Sequence, residues 1–507
     1  MPNSYRHGSL KSFSVILKNV DNTRSLDITS LVVDTTIYED IFAKTMYGSM
    51  AIKDGVNLMN GMNIKDKPQG VFPIVGEEYV EITYEVEGYP LIVKRFAVNT
   101  ITHIKIDEQI KTRDYIIEFC SEEHIIDAVT LVQKSYNKQP ISEMVEDVLK
   151  NYLKVDQEQP NGKRKKTYDI QKTRGPQNIV VPRLTPLETL EFFARRSIAE
   201  TIFESASYLF FENKDGFNFC DVEYLIRRGR QKLAGDPKSY TYHYKQMVNP
   251  NPTSDGEHSE KVQDNSDEFK TIISMQQKHK FDTIEKLRRG YFESSMLVYD
   301  FNGRKVNKDQ VFKFLDTYNK SNALGSGSET VTQPAYPENS LDFIKNVTKE
   351  PEKPSGILGI FGLTKDNKTT DRHSKVFFIA KDTSPDFPDT YLDQIYPNRA
   401  AYMTRLAQNM FTAEVYGDPR IAAGDVIEVN LPEVVGTTGP RQADTYLSGY
   451  FLVATIQHKL TADNYMTTYD LFKNGFSNPV ISTNNAEVAQ SADTAFMNDA
   501  KELGVKK

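Results

Sequence analysis

The sequence predicts a mainly β protein with an α+β segment in its middle, and three observations predict it. Apolar and polar residues alternate with period two from Ser12 to about Cys120. Apolar residues at helical spacing, Ile141, Met144, Val145, Val148, Leu149, Tyr152 and Leu153, then interrupt the β pattern. Near the end a strand motif from the first part returns. Phe96-Ala97-Val98-Asn99-Thr100-Ile101-Thr102-His103 is repeated as Phe451-Leu452-Val453-Ala454-Thr455-Ile456-Gln457-His458, with five of the eight positions identical. Its flanks repeat as well: Gly76-Glu77-Glu78-Tyr79-Val80-Glu81-Ile82 resembles Gly424-Asp425-Val426-Ile427-Glu428-Val429, and Tyr115-Ile116-Ile117-Glu118-Phe119 resembles Tyr469-Asp470-Leu471-Phe472. Gap lengths differ by a few residues, as hairpin loops do. We read two copies of one β-rich domain in one polypeptide.

The strands expected in the first copy are Phe13–Leu17, Ser49–Ile52, Tyr79–Tyr84, Leu91–Val98 and Tyr115–Phe119, with turns at Asp54-Gly55, Asn60-Gly61 and Glu87-Gly88. They make an antiparallel barrel or sandwich over residues 1–125. A small α+β domain follows over 126–250, opening with a helix at Ile141–Leu153. After a basic hinge, Gly162-Lys163-Arg164-Lys165-Lys166, the run Thr185-Pro186-Leu187-Glu188 places a capping Thr, a first-turn Pro and a Glu that completes a capping box. A second helix is expected from there to about Ile198. Tyr208–Phe219 reads as strand, Asp215-Gly216 turn and strand. Residues 251–268, rich in Asn, Pro, Ser, Asp and Glu, form a linker. The second barrel is expected over 269–310 and 398–475, resuming after a helix at Asn398–Gln408. Between them lies an insertion, 311–397, expected to be partly flexible because Gly, Ser, Pro and Thr are frequent over 320–375. A polar tail, 476–507, carries a short helix at Ala486–Leu503.

Bulk properties narrow the function classes. A chain of 507 residues is too long for one core and suggests three or four units. A net charge of -7 argues against nonspecific nucleic-acid binding over the whole surface, which needs a basic face. Only Cys120 and Cys220 occur, so no disulfide framework is expected and folding in the cytosol is the simple inference. Met1–His7 lack the apolar stretch of a secretion signal, and no run of about 18 apolar residues occurs, so a soluble protein without a signal peptide is expected. Trp is absent while Tyr (27) and Phe (28) are plentiful, which fits sheet surfaces and partner contacts.

No catalytic, cofactor-binding or metal-ligating residues are assigned. Gly325-Ser326-Gly327-Ser328 lacks the strand-to-helix context of a nucleophile elbow. The eight histidines are scattered, with no His-Glu-x-x-His or Cys-x-x-Cys pair, and His103 and His458, at matching repeat positions, are expected to share a structural role on a strand. Gly356-Ile357-Leu358-Gly359-Ile360-Phe361-Gly362 has the wrong spacing for a dinucleotide fingerprint and reads as a contact segment or packed turn. Acidic pairs such as Glu77-Glu78 and Glu122-Glu123 single out no glycosidase dyad and are read as solvated faces. The run Lys163–Lys166 is read as an exposed loop that can meet phosphate or an acidic partner.

Several segments, in order, resemble a known family. Leu26-Asp27-Ile28-Thr29-Ser30-Leu31, Ile37-Tyr38-Glu39-Asp40-Ile41-Phe42 and Tyr47-Gly48-Ser49-Met50-Ala51-Ile52-Lys53-Asp54 look like its opening strands. Leu184-Thr185-Pro186-Leu187-Glu188-Thr189-Leu190 with Ala194-Arg195-Arg196 looks like its middle-domain helix, and Phe210–Phe217 like the hairpin after it. Gly417-Asp418-Pro419 and Gly424-Asp425-Val426-Ile427 complete the set. The family is the central baseplate hub protein of contractile-tailed, T-even-type bacteriophages, related to the hub part of type VI secretion spike proteins. The likeness covers about 10–310 and 398–475; the insertion and the tail depart from it.

The resemblance implies a homotrimeric structural virion protein of the tail baseplate, assembled in the host cytoplasm, and not an enzyme. Two tube-like antiparallel barrels per chain would give six similar faces, adapting a hexameric tail tube to a trimeric central spike. Expected partners are the spike, the tube proteins and neighbouring baseplate proteins. DNA or tape-measure protein would pass transiently through the lumen, and no stable membrane association is expected. An acidic inner wall would ease genome passage, and the excess of Asp and Glu over Lys and Arg, 69 against 62, permits one. The alternatives are a tail-associated hydrolase and a peripheral host-binding β protein.

Overall fold

The computed structural model describes residues 10–61, 73–107, 111–158, 165–201, 204–244, 270–279, 282–291, 293–313, 376–382, 384, 387–406, 409–432, 444 and 447–474. The first β unit comprises β1 (Leu10–Lys18), β2 (Ser25–Asp27), β3 (Val32–Asp40), β4 (Tyr47–Asp54), β5 (Tyr79–Val86), β6 (Ile92–Asp107) and β7 (Thr112–Cys120). Its strands lie in the order β3-β4-β7-β6-β5-β1-β2, all neighbours antiparallel. The period-two pattern sets which face is buried. In β5 the alternate residues Val80, Ile82, Tyr84 and Val86 point into a core that also holds Val15, Leu17, Met50, Ile52, Ile117 and Phe119. Each such aliphatic side chain contributes about 1.5–3 kcal/mol when fully buried.

The middle domain comprises α1 (Glu122–Val129), β8 (Ser135–Gln139), α2 (Ile141–Asp147) with a π turn at Val148–Tyr152, β9 (Tyr168–Ile170), β10 (Gln177–Val180), α3 (Pro186–Ala194), β11 (Tyr208–Asn213), β12 (Gly216–Asp221), α4 (Val222–Gly235) and α5 (Pro237–Tyr240). The capping box forms: Glu188 N–H donates to Thr185 Oγ1, and Thr185 N–H donates to the Glu188 carboxylate. The helix ends at Ala194, earlier than Ile198. All twelve residues of the β11–β12 hairpin strands are buried. One face carries Tyr208, Phe210, Phe217 and Phe219 into the middle-domain core, and the other carries Leu209, Phe211 and Cys220 into the core of the second barrel. A hairpin covered on both faces needs apolar residues at successive positions, which is what its sequence supplies. Gly216 closes its turn at φ +126°, and a Cβ there would lie 2.2 Å from the Thr167 carbonyl oxygen.

The second barrel is a six-strand ring of β13 (Thr241–Tyr244), β14 (Thr271–His279), β18 (Met410–Tyr416), β21 (Tyr465–Phe472), β20 (Gly449–Leu460) and β19 (Val426–Asn430), closed by β19 pairing with both β13 and β20. Three features differ from the sequence reading. The ring's first strand, β13, precedes residue 250, because α5 leads directly into it, and it runs parallel to both neighbours. After α6 (Thr283–Arg288), β15 (Glu293–Asp300) and β16 (Lys305–Lys313), which fall mostly in the span expected to supply barrel strands, instead form a separate three-stranded sheet with β17 (Val376–Lys381) from the insertion. The helix expected from Asn398 is α7 (Leu392–Leu406), which runs through Pro397; burial of Ile395, Tyr402 and Leu406 offsets the hydrogen bond a proline cannot donate.

Candidate functional site at the junction of the two barrels

The sequence echo is reproduced in strand register. In β6–β7, Val98 faces Phe119 and Thr100 faces Glu118, with a bulge at Asn99; in β20–β21, Val453 faces Leu471 and Thr455 faces Asp470, with a bulge at Ala454. Asn99 and Ala454 are equivalent positions of the motif. A second bulge is shared: one lies between Val32 and Asp34 where β3 meets β4, the other between Ile272 and Ser274 where β14 meets β18. The turn before each motif is built alike. Gly76 and Gly424 have φ of +93° and +92°, Glu78 and Asp425 accept backbone N–H groups of that turn, and Val98 N–H and Val453 N–H donate to the Glu78 and Asp425 carbonyls at 2.9 Å. Bulges are local features of strand pairing, so two at matching positions indicate a repeated architecture. The strand orders β3-β4-β7-β6-β5 and β14-β18-β21-β20-β19 therefore correspond one to one.

The two units meet edge to edge. Residues Gly449–Leu452 of β20 pair with β19, and Thr455–Leu460 turn away to pair with β3, from Thr455 opposite Asp40 to Leu460 opposite Thr35. One sheet of thirteen strands thereby runs through both units. Leu460 and Tyr465, from the second barrel, are fully buried in the core of the first.

A polar cluster lies under this junction. His458 Nε2 lies 3.4 Å from Glu39 Oε1, its Nδ1 is 2.7 Å from the Tyr465 hydroxyl, and Ala423 N–H donates to Glu39 Oε2 at 3.2 Å. Burial opposes ionisation of Glu39, but the hydrogen bond and charge of His458, the charge of Lys94 and the Ala423 N–H together hold its carboxyl below the usual range. Burial lowers the Lys94 ammonium, against the pull of Glu39 and Glu212. A cavity of about 340 Å³ opens beside these groups, lined by Ile37, Tyr84, Tyr89, Lys94, Arg420 and His458.

Glu212, on β11, ties the first unit to the middle domain. It accepts from Met46 N–H at 2.9 Å, from Ser121 Oγ at 2.5 Å and from Lys166 Nζ at 2.6 Å, and Lys166 also reaches Glu123 at 2.5 Å. The middle domain is tied to the second barrel by Asn213 Nδ2, which donates to the Ala423 carbonyl at 2.9 Å, and by Lys232, which pairs with Asp425 at 2.7 Å. Each of these groups has its partner inside the chain, so the cluster is suited to fixing three units relative to one another.

The residues singled out from sequence take these places. His458 is buried in the junction while His103 is exposed at φ +52°, because a further bulge after Thr102 shifts it; the shared role expected for the two does not occur. Glu122 pairs with Arg95 at 2.9 Å and Glu123 with Lys166, so this acidic pair is not a solvated face. Lys166, expected in an exposed loop, is the cation of the Glu212 cluster. Both cysteines are buried; burial pushes the Cys120 thiol to about 11 and the Cys220 thiol further up, which keeps both protonated at neutral pH. Among the described residues no group of three His, Cys, Asp or Glu could hold a metal ion. Gly162–Arg164, Gly325–Ser328, Gly356–Gly362 and Ala486–Leu503 lie outside the described residues. Glu39 and Glu212 carried no sequence signal of their own, since each acts through residues far away in the chain.

No protein-family model and no curated protein matches the chain. Solved structures with a similar fold include the tail protein from Neisseria meningitidis MC58, at 10% identity over 92% of this chain and 98% of that one, with a TM-score of 0.47. The 43 kDa tail protein of prophage MuSo2 from Shewanella oneidensis matches at 9% identity over 91% and 98%, TM-score 0.45. The E. coli c3393 protein, a component of the type VI secretion system with structural similarity to T4 bacteriophage tail proteins, matches at 7% identity over 89% and 76%, TM-score 0.36.

Proposed function

We propose that this chain is a structural hub of a phage-type tail, three copies of which form a ring that joins a hexameric tube to a threefold spike. The observation that carries the reading is the internal repeat: two units with the same strand order and the same bulges, joined edge to edge by β20 and β3. Three such chains give six similar units around an axis, and a ring of head-to-tail contacts closes when each junction turns by one sixth of a full turn without a rise along the axis. The hub stands in the virion baseplate, is assembled in the host cytoplasm, contacts spike, tube and neighbouring baseplate proteins, and leaves an axial channel for DNA or tape-measure protein. Its work is mechanical, without a catalytic residue or a stable membrane contact. Native mass spectrometry tests this on the purified chain, alone and mixed with the candidate spike from the same genome. The expected species contains three chains of 57.8 kDa, roughly 173 kDa of this protein. A strict monomer in both samples overturns the reading.

A further inference from the structure

The junction inside one chain has a counterpart left open at the chain's two ends. In the second barrel the later part of β20 leaves its own barrel and pairs with β3. The equivalent part of β6, Thr100–Ile106, pairs with β7 on one side, while β5 accompanies β6 only as far as Ala97. Among the described residues no strand pairs with the other edge of Thr100–Ile106. Likewise β3 offers its outer edge to β20, whereas β14, its equivalent, meets β13 only at Thr271 and Ile272. Among the described residues the edge of β14 over Ser274–Lys278 has no strand partner on that side.

The side chains repeat the contrast. By register with β7 and β21, Ile106 takes the place of Leu460, since each lies one position beyond the equivalent pairs Lys105–Asp114 and Lys459–Met466. Leu460 is 0% exposed under the first unit, and Ile106 is 62% exposed. Ile104, on the same face as Ile106, is 51% exposed. An open edge carrying two exposed isoleucines is a ready template for another strand. We propose that the edge of β6 at Thr100–Ile106 pairs antiparallel with the edge of β14 at Ser274–Lys278 of a second copy of this chain, repeating between copies the β20–β3 junction formed within one. Matching the registers sets Ile106 opposite Met275 and Lys105 opposite Gln276, as Leu460 faces Thr35 and Lys459 faces Thr36. Each copy then offers one edge of each kind, so the contact is head to tail and can close a ring. The number of copies in that ring rests on the hub reading; the strand contact does not.

Cysteine trapping in the full chain tests it. Partner residues on antiparallel strands lie at Cα separations of about 4.5–5.5 Å, within disulfide range. The double variant Lys105→Cys with Gln276→Cys is expected to give covalent dimers and larger closed species on mild oxidation, and an equimolar mixture of the two single variants is expected to give dimers only. Thr36→Cys with Lys459→Cys, across the internal junction, is the geometric control and cross-links within one chain. The paired exposed substitutions Ile104→Lys and Ile106→Lys are expected to leave the circular dichroism unchanged while shifting the native mass to one chain. If the double variant forms oligomers by native mass but does not cross-link on oxidation, the strand contact is overturned and the hub reading stands; a chain that is a monomer both alone and with the spike, and does not cross-link in either sample, overturns both.

Discussion

Single residues decide how closely the units can approach. Gly229 sits inside α4, where glycine costs about 1 kcal/mol relative to alanine. The reason is contact: a Cβ there would lie 2.6 Å from both the backbone nitrogen and Cγ2 of Val426 in β19. A backbone atom in a paired strand cannot move aside, so overpacking of about 1–3 kcal/mol outweighs the helix gain. Gly229→Ala is therefore expected to lower stability, read as a lower urea midpoint. Lys473 acts within the second barrel. It is buried, and its Nζ donates to the carbonyls of Leu447 and Ser448 at 2.8 and 2.6 Å. Burial lowers its ammonium to about 7, against the pull of Asp444. In the unfolded chain the group titrates near 10.4. Between these values the unfolded chain binds more protons than the folded one, so this lysine makes stability rise with pH from about 7 to about 10, by at most about 1.4 kcal/mol per unit. Comparing urea midpoints at pH 7 and pH 9 checks it: Lys473→Met should lose the rise, and an equal rise in both proteins would refute the assignment.

At the scale of elements, the parts that fold from local signals are the parts the sequence revealed. The box at Thr185-Pro186-Leu187-Glu188 is a local code, and α3 starts where it says. Thr185→Ala removes the acceptor for Glu188 N–H and is expected to cost about 0.5–2 kcal/mol, with early amide exchange in the first turn of α3 as the local readout. The Asp215-Gly216 hairpin was equally legible, because turn chemistry and apolar runs both lie within a dozen residues. The echo of Phe96–His103 in Phe451–His458 predicted equivalent strands, and the shared bulges at Asn99 and Ala454 add a register that no residue type encodes. What sequence could not supply was long-range. Thr241–Tyr244 is too short for a periodic pattern and becomes a barrel strand only between β19 and β14. Pro397 hid the first half of α7, since tertiary burial there overrides a local breaker. Nor does anything near Glu39 or Glu212 in sequence announce partners 384 and 166 residues away.

At the scale of the whole molecule, the question is whether the three units melt as one. The β11–β12 hairpin puts side chains into two cores at once, and Glu212 at its edge binds groups from the first unit and from the hinge before β9. Glu212 is 2% exposed, and its carboxylate is held by Lys166, by two neutral donors and by the nearby charge of Lys94. The charges of Glu212 and Glu123 outweigh burial and raise the Lys166 ammonium above its ordinary value. Replacing Glu212 with Ala strands the Met46 N–H and Ser121 hydroxyl and leaves Lys166 with one carboxylate, a loss of about 3–5 kcal/mol for breaking a buried pair. That loss falls on the contact between units more than on any single core. The unaltered chain is expected to give one cooperative calorimetric transition for the described units, and Glu212→Ala to give two, the earlier one accompanied by exchange of amides in β4 and β7. A single transition merely shifted to lower temperature would mean that the hairpin's apolar faces and the β20–β3 junction suffice to hold the units together, and that the ion cluster sets orientation without contributing to cooperativity.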